Sequence, residues 1–122
     1  MTTKKSYEDQ GYFRRKYPRR SLKRSVGVIA KGTYFICQSD EIGEGGMSLD
    51  TDMVLLQGTE VVVSLQIPNG DFISVRGEVK SSRKRNGTMI HGLAFAQIPF
   101  ANKRQIRAFV SARTMTSELL GS

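Results

Sequence analysis

The stretch Val61-Val62-Val63-Ser64-Leu65-Gln66-Ile67, then Pro68-Asn69-Gly70-Asp71, then Phe72-Ile73-Ser74-Val75-Arg76-Gly77-Glu78-Val79-Lys80 decides the fold. Val61, Val63, Leu65 and Ile67 fall on one side of an extended chain, and Val62, Ser64 and Gln66 on the other. Past the turn, Ile73, Val75, Gly77 and Val79 alternate with Ser74, Arg76, Glu78 and Lys80. Alternation at period two marks strands with one buried face, and Asn-Gly is a pair that tight hairpin turns with positive φ favour.

The same pattern extends in both directions. Upstream, Val26, Val28 and Ala30 alternate with polar or small residues, and Lys31-Gly32 turns the chain into Tyr34-Phe35-Ile36-Cys37. Downstream, Arg83-Lys84-Arg85-Asn86-Gly87 marks a turn into a strand with Met89, His91, Leu93 and Phe95 on alternate positions. With a short segment around Met47-Ser48-Leu49 this makes about six strands joined largely by hairpins, which predicts a mainly β, antiparallel barrel or sandwich. After Pro99 the period changes, and Ile106, Phe109 and Val110 share a stripe at helical spacing, predicting a C-terminal helix over about residues 100–113.

At 122 residues the chain has room for one such domain. No apolar run reaches the roughly 18 residues a membrane helix needs, and MTTKKSYEDQ has charges where a signal peptide needs apolar residues, so a cytoplasmic protein without membrane insertion is expected. A single cysteine, Cys37, excludes an intramolecular disulfide, and with one histidine beside it argues against zinc. Cys37 is expected to be a small buried hydrophobe.

The net charge of +8 is concentrated at one end. Residues 1–31 hold ten basic and two acidic groups, while the remaining 91 hold nine of each. A cationic arm on a neutral body implies an anionic partner. The arm's densest part is Phe13-Arg14-Arg15-Lys16-Tyr17-Pro18-Arg19-Arg20. Arginine offers a planar fork of donors for phosphate or the guanine edge and a flat face for stacking on purines. Pro18 biases Tyr17 towards an extended conformation, so Arg15 and Arg19 are expected on one side, roughly 13 Å apart.

A second segment, Ser39-Asp40-Glu41-Ile42-Gly43-Glu44-Gly45-Gly46-Met47, is a polar, glycine-rich turn whose backbone amides can approach an anion unobstructed. Catalytic machinery is lacking by comparison: no Gly-x-Ser-x-Gly elbow, no GxxxxGK[ST] loop, no histidine pair. His91 reads as a partly buried packing residue, and the chain reads as a binding protein without enzymatic activity.

Together and in this order, the two segments resemble the PilZ family, whose domains bind cyclic di-GMP through RxxxR followed by [DN]xSxxG. Arg15-Lys16-Tyr17-Pro18-Arg19 matches the first motif, with Arg14 as an added arginine, and Glu41-Ile42-Gly43-Glu44-Gly45-Gly46 aligns with the second. Arg76-Gly77-Glu78-Val79 and His91-Gly92-Leu93-Ala94-Phe95 look like the family's late strands, so the likeness covers about residues 13–112. Two positions depart, with Glu41 standing for Asp or Asn and Gly43 for Ser. A hydrogen bond lost at Gly43 is worth about 0.5–1.5 kcal/mol, up to about tenfold in affinity.

The resemblance implies a six-stranded antiparallel β-barrel of PilZ type with a C-terminal helix and a flexible basic N-terminal arm. The domain would span residues 13–113, between tails at 1–12 and 114–122. It implies cyclic di-GMP as the ligand and no other cofactor. Arg15 and Arg19 would be the principal contacts, supported by Arg14, with Arg20 and Lys16 secondary and Glu41, Gly43 and Gly46 as the second wall. A loose arm, residues 12–24, would order on ligand binding and signal to a downstream protein that the sequence does not identify. Two alternatives stand beside it. One is a degenerate domain serving as a nucleotide-independent protein adaptor, favoured by the departures. The other is a nucleic-acid-binding barrel, disfavoured because most aromatics sit in the arm, at buried-looking strand positions or near the helix.

Overall fold

The computed structural model describes residues 17–120, with side chains through Ala112. Seven strands precede one helix: β1 (Arg19–Ser21), β2 (Ser25–Ala30), β3 (Thr33–Gly43), β4 (Gly46–Thr51), β5 (Glu60–Gln66), β6 (Phe72–Arg85), β7 (Thr88–Gln97) and α1 (Phe100–Leu120). Every pairing is antiparallel, in the order β1-β3-β2-β5-β6-β7-β4, and β4 pairs back onto β3. That last pairing closes β2–β7 into the expected six-stranded barrel. β1 is an outer strand, joined to β3 at Glu41–Gly43 and lying in line with β2 along the same side of β3.

The alternation predicts the interior well. Val61, Val63, Leu65 and Ile67 are all buried, as are Val26, Val28, Val75, Val79 and Leu93. Burying each such side chain contributes roughly 1.5–3 kcal/mol, which makes the inward face the register-setting face of every strand. The Lys31-Gly32 and Asn86-Gly87 turns have both central residues at positive φ, as a two-residue hairpin requires. The turn after β5 differs from the expected Asn-Gly hairpin: Gly70 N–H donates to the Ile67 carbonyl at 2.8 Å, so Pro68 and Asn69 are its central residues, with Asn69 at φ 60°. Proline second and a left-handed residue third is the type II arrangement.

Helix α1 lays Ile106 and Val110 into the core, with Phe109 partly buried against it. It continues to Leu120, past the expected end near residue 113, because no glycine or proline occurs between Ala101 and Leu120. Among the described residues no helix is long and apolar enough to cross a membrane. Cys37 is buried, and burial, reinforced by Asp50, pushes its thiol up to about 11, so it stays a protonated packing group. Two strand aromatics correct the expectation of buried positions: Tyr34 is 62% and Phe72 66% exposed.

Candidate functional site

The expected loose arm divides at Tyr17. Arg14, Arg15 and Lys16 lie outside the described residues. From Arg19 onward the arm is built into the barrel, contrary to the reading of a flexible segment through residue 24. Arg19 pairs with Gly43, Arg20 with Ile42 and Ser21 with Glu41, while Leu22 is buried. Leu22 N–H donates to the Asp40 carbonyl, Ser39 N–H to the Arg24 carbonyl, and the Ser39 hydroxyl to the Leu22 carbonyl. One apolar anchor and this ladder outweigh the repulsion among exposed cations, which solvent screens.

Asp40 anchors the same segment electrostatically. Its carboxylate, only 7% exposed, accepts from Lys23 Nζ at 2.5 Å and from Arg85 Nη2 at 2.9 Å. Burial by itself raises its pKa, but the Arg85 and Lys23 hydrogen bonds override that and bring it down to about 2. A depressed carboxylate contributes stability that is complete above its unfolded pKa, about 4, and is lost as pH falls through about 2. The urea midpoint should therefore fall between about pH 4 and 2, and Asp40→Asn should flatten that dependence. An identical acid profile in the variant would remove Asp40 from the account.

Gly43 and Gly46 pair across the β3–β4 turn, whose tip is Glu44-Gly45. Beside it lies a cleft of about 330 Å³. Tyr17, Arg19, Gly43, Gly45 and Gly46 line one side, and Lys80, Ser81, Gly92, Leu93 and Ala94 the other. Glycine, serine and alanine on adjacent strands leave a low floor on the barrel's outer wall, edged by an aromatic ring, a guanidinium and an ammonium. Such a surface suits a planar ring carrying anionic groups. The one carboxylate in the turn is directed away: Glu44 is held by Arg107 of α1 in a two-pronged bond at 2.9 and 3.0 Å, which keeps its pKa low against the opposing effect of burial.

Of the residues singled out in the sequence, Arg19, Gly43 and Gly46 meet at this cleft. Glu41 is beside it, its Oε1 3.9 Å from Arg19 Nη1. Arg20 is not brought there. Neighbouring residues of a strand face opposite ways, and Arg20 donates from Nη1 to the Phe109 carbonyl at 2.8 Å with its guanidinium 4.1 Å from the Phe109 ring centroid. The departure at Gly43 has a steric basis, since a Cβ there would stand 2.6 Å from the Pro18 carbonyl oxygen and 3.2 Å from Arg19 Cγ. The arm occupies the space a serine side chain would need.

The family model that describes the PilZ domain matches residues 13–112. The chain belongs to the PilZ domain family. Solved structures agree on the fold. The Bacillus subtilis inhibitor of motility MotI/DgrA superposes with a TM-score of 0.76 at 15% identity, over 84% of this chain and 52% of that one. YcgR from Escherichia coli in complex with c-di-GMP gives 0.68 at 16%, over 86% and 48%. The Borreliella burgdorferi PlzA protein in complex with c-di-GMP gives 0.63 at 16%, over 88% and 45%. The chain thus spans about half the length of these three proteins. No curated protein sequence matches it significantly.

Tyr17, Lys80, Ser81, Gly92 and Ala94 were missed in the sequence as site residues. The available signal was the pair of small residues at alternate positions, Gly92 and Ala94, on the outward face of β7. Among the described residues no three His, Cys, Asp or Glu side chains converge as a metal site would require.

Proposed function

We propose that this PilZ domain is a cyclic di-GMP receptor that acts on a partner protein and not by catalysis. The observation that carries this reading is the meeting of Arg19, from the first motif, with Gly43 and Gly46, from the second, at one cleft edged by Lys80. Arg19 and Lys80 supply cations for phosphate, the glycine and alanine floor admits a purine plane, and Tyr17 offers a stacking face. Arg14 and Arg15 would be drawn in by the ligand to close the cleft from the arm side, and Glu41 is within reach of a guanine amino edge.

The output would pass through α1. Both elements on one side of the cleft are tied to it, the arm through Arg20 on Phe109 and the glycine turn through Glu44 on Arg107. A ligand that shifts either element biases the helix, a two-point linkage suited to exposing a new surface to a partner.

Isothermal titration calorimetry with cyclic di-GMP tests the reading. Saturable binding is expected from the wild-type chain and not from Arg15→Ala/Arg19→Ala. No heat up to about 100 μM ligand would overturn it. That outcome would favour the adaptor reading, which one feature supports: the Pro18 carbonyl already fills the space of the family's serine at Gly43, holding the arm without a ligand.

A further inference from the structure

Strand β3 changes neighbours along its length. β2 flanks it from Thr33 to Gln38, and β4 joins its other side only at Gln38, opposite Asp50. Continued, that register would set Asp52 against Ile36, but β4 ends at Thr51 and the chain leaves the sheet. Among the described residues Thr33–Cys37 is therefore paired on one edge and open on the other. The two-residue turn makes Ala30 and Thr33 a hydrogen-bonded pair, and likewise Val28 with Phe35 and Val26 with Cys37. Tyr34 and Ile36 consequently turn their N–H and C=O groups into the open edge. Their side chains are 62% and 59% exposed, and Val54 and Leu56, which follow Met53 in the chain, are 73% and 64% exposed. A groove of about 530 Å³ runs between, with Phe35, Ile36 and Cys37 on one bank and Asp50, Asp52 and Met53 on the other. Open hydrophobic edges of this kind are ordinarily covered.

We propose that the open edge of β3 is covered by the same edge of a second copy, forming a twofold dimer. The slot is bounded at one end by the Lys31-Gly32 turn and at the other by the arrival of β4 at Gln38, and a second copy offers an edge of the same length. An axis through Phe35 lays the two edges antiparallel and sets Tyr34 opposite Ile36 twice, an aromatic and β-branched pair that strands favour. The same operation brings each Lys31, in the turn just before Thr33, towards the end of the other copy's slot where Asp50 and Asp52 stand, so the charges complement each other reciprocally. Gly43 is seven residues further along β3 from Ile36, about 23 Å at the rise of an extended strand, so the dimer leaves the glycine cleft open.

Sedimentation velocity of the full chain between about 5 and 200 μM tests this. A concentration-dependent dimer is expected for the wild type, and a monomer for Ile36→Lys. Lys31→Asp and Asp52→Lys should each weaken the dimer about tenfold and the double swap should restore it. All three positions are exposed, and thermal melts establish that the variants fold. A wild-type monomer throughout the range, or a dimer indifferent to Ile36→Lys, overturns the interface. A double swap no tighter than its singles overturns the antiparallel register.

Discussion

Gly46→Ala should cost about 3 kcal/mol or more, a large part of the roughly 5–15 kcal/mol that holds a domain of this size together. A Cβ at this position would lie 2.0 Å from the Leu93 carbonyl oxygen, 3.1 Å from the Leu93 carbonyl carbon and 3.3 Å from Ala94 Cα. All three atoms are backbone of β7, with which β4 pairs from Gly46–Ala94 to Thr51–Met89. No rotamer change relieves such a contact; the strands must separate, and the barrel closes through β4. Gly92 is a useful contrast, because a Cβ there would meet the Ser81 hydroxyl at 2.6 Å, a side chain that can turn away. Urea unfolding should show a large fall in midpoint for Gly46→Ala and a small one for Gly92→Ala. Equal midpoints for Gly46→Ala and wild type would show that β4 and β7 are not so closely apposed. The last glycine of the second motif is thus a folding residue as much as a candidate ligand-site residue.

His91→Ala should cost about 3–5 kcal/mol, comparable to truncating a buried aromatic side chain. The ring is fully buried, its Nδ1 2.7 Å from the Ser82 hydroxyl and its Nε2 2.8 Å from the Met53 carbonyl oxygen. A carbonyl can only accept, so Nε2 carries a proton, and in the neutral ring Nδ1 then accepts from Ser82. Histidine here joins β6 and β7 to the segment between β4 and β5, a role beyond the partly buried packing expected from the alternation. His91→Ala leaves a cavity and strands two polar groups; His91→Phe refills the space but strands the same groups, and should fall between at about 1–3 kcal/mol. Amide exchange around Met53 should accelerate in both variants. If His91→Phe matches wild type in midpoint and exchange, the hydrogen bonds contribute nothing and packing accounts for the whole effect.

The barrel was legible because its strands are half-buried. Val61, Val63, Leu65 and Ile67 must face one way whatever they pack against, and Ile106 with Val110 define a helix stripe on the same grounds. β1 was not legible: Arg19–Ser21 has no apolar alternation, and only its pairing with Glu41–Gly43, twenty or more positions away, with Leu22 buried just beyond it, makes it a strand. Part of the candidate site, Arg19, Gly43 and Gly46, was legible for a related reason. Arginines and glycines announce themselves by type, whereas Lys80, Ser81, Gly92 and Ala94 look ordinary until β6 and β7 are set beside the glycine turn.

The separation of Arg19 from Arg20 follows from strand geometry once β1 exists. The destination of each side chain does not, because Phe109 lies 89 positions from Arg20 and Glu44 lies 63 from Arg107. By itself the sequence determined what is local: which residues alternate, where the chain reverses at Lys31-Gly32 and Asn86-Gly87, where helix replaces strand, and that an arginine-rich segment precedes a glycine-rich turn. Only the tertiary structure decided which faces meet: that Gly43 is glycine because Pro18 lies on it, that the Glu44 charge is drawn off to α1, and that β3 keeps an open edge. Local preferences act within a few residues through sterics and burial, whereas these outcomes depend on barrel closure, which sets distant segments side by side only when every strand is in register.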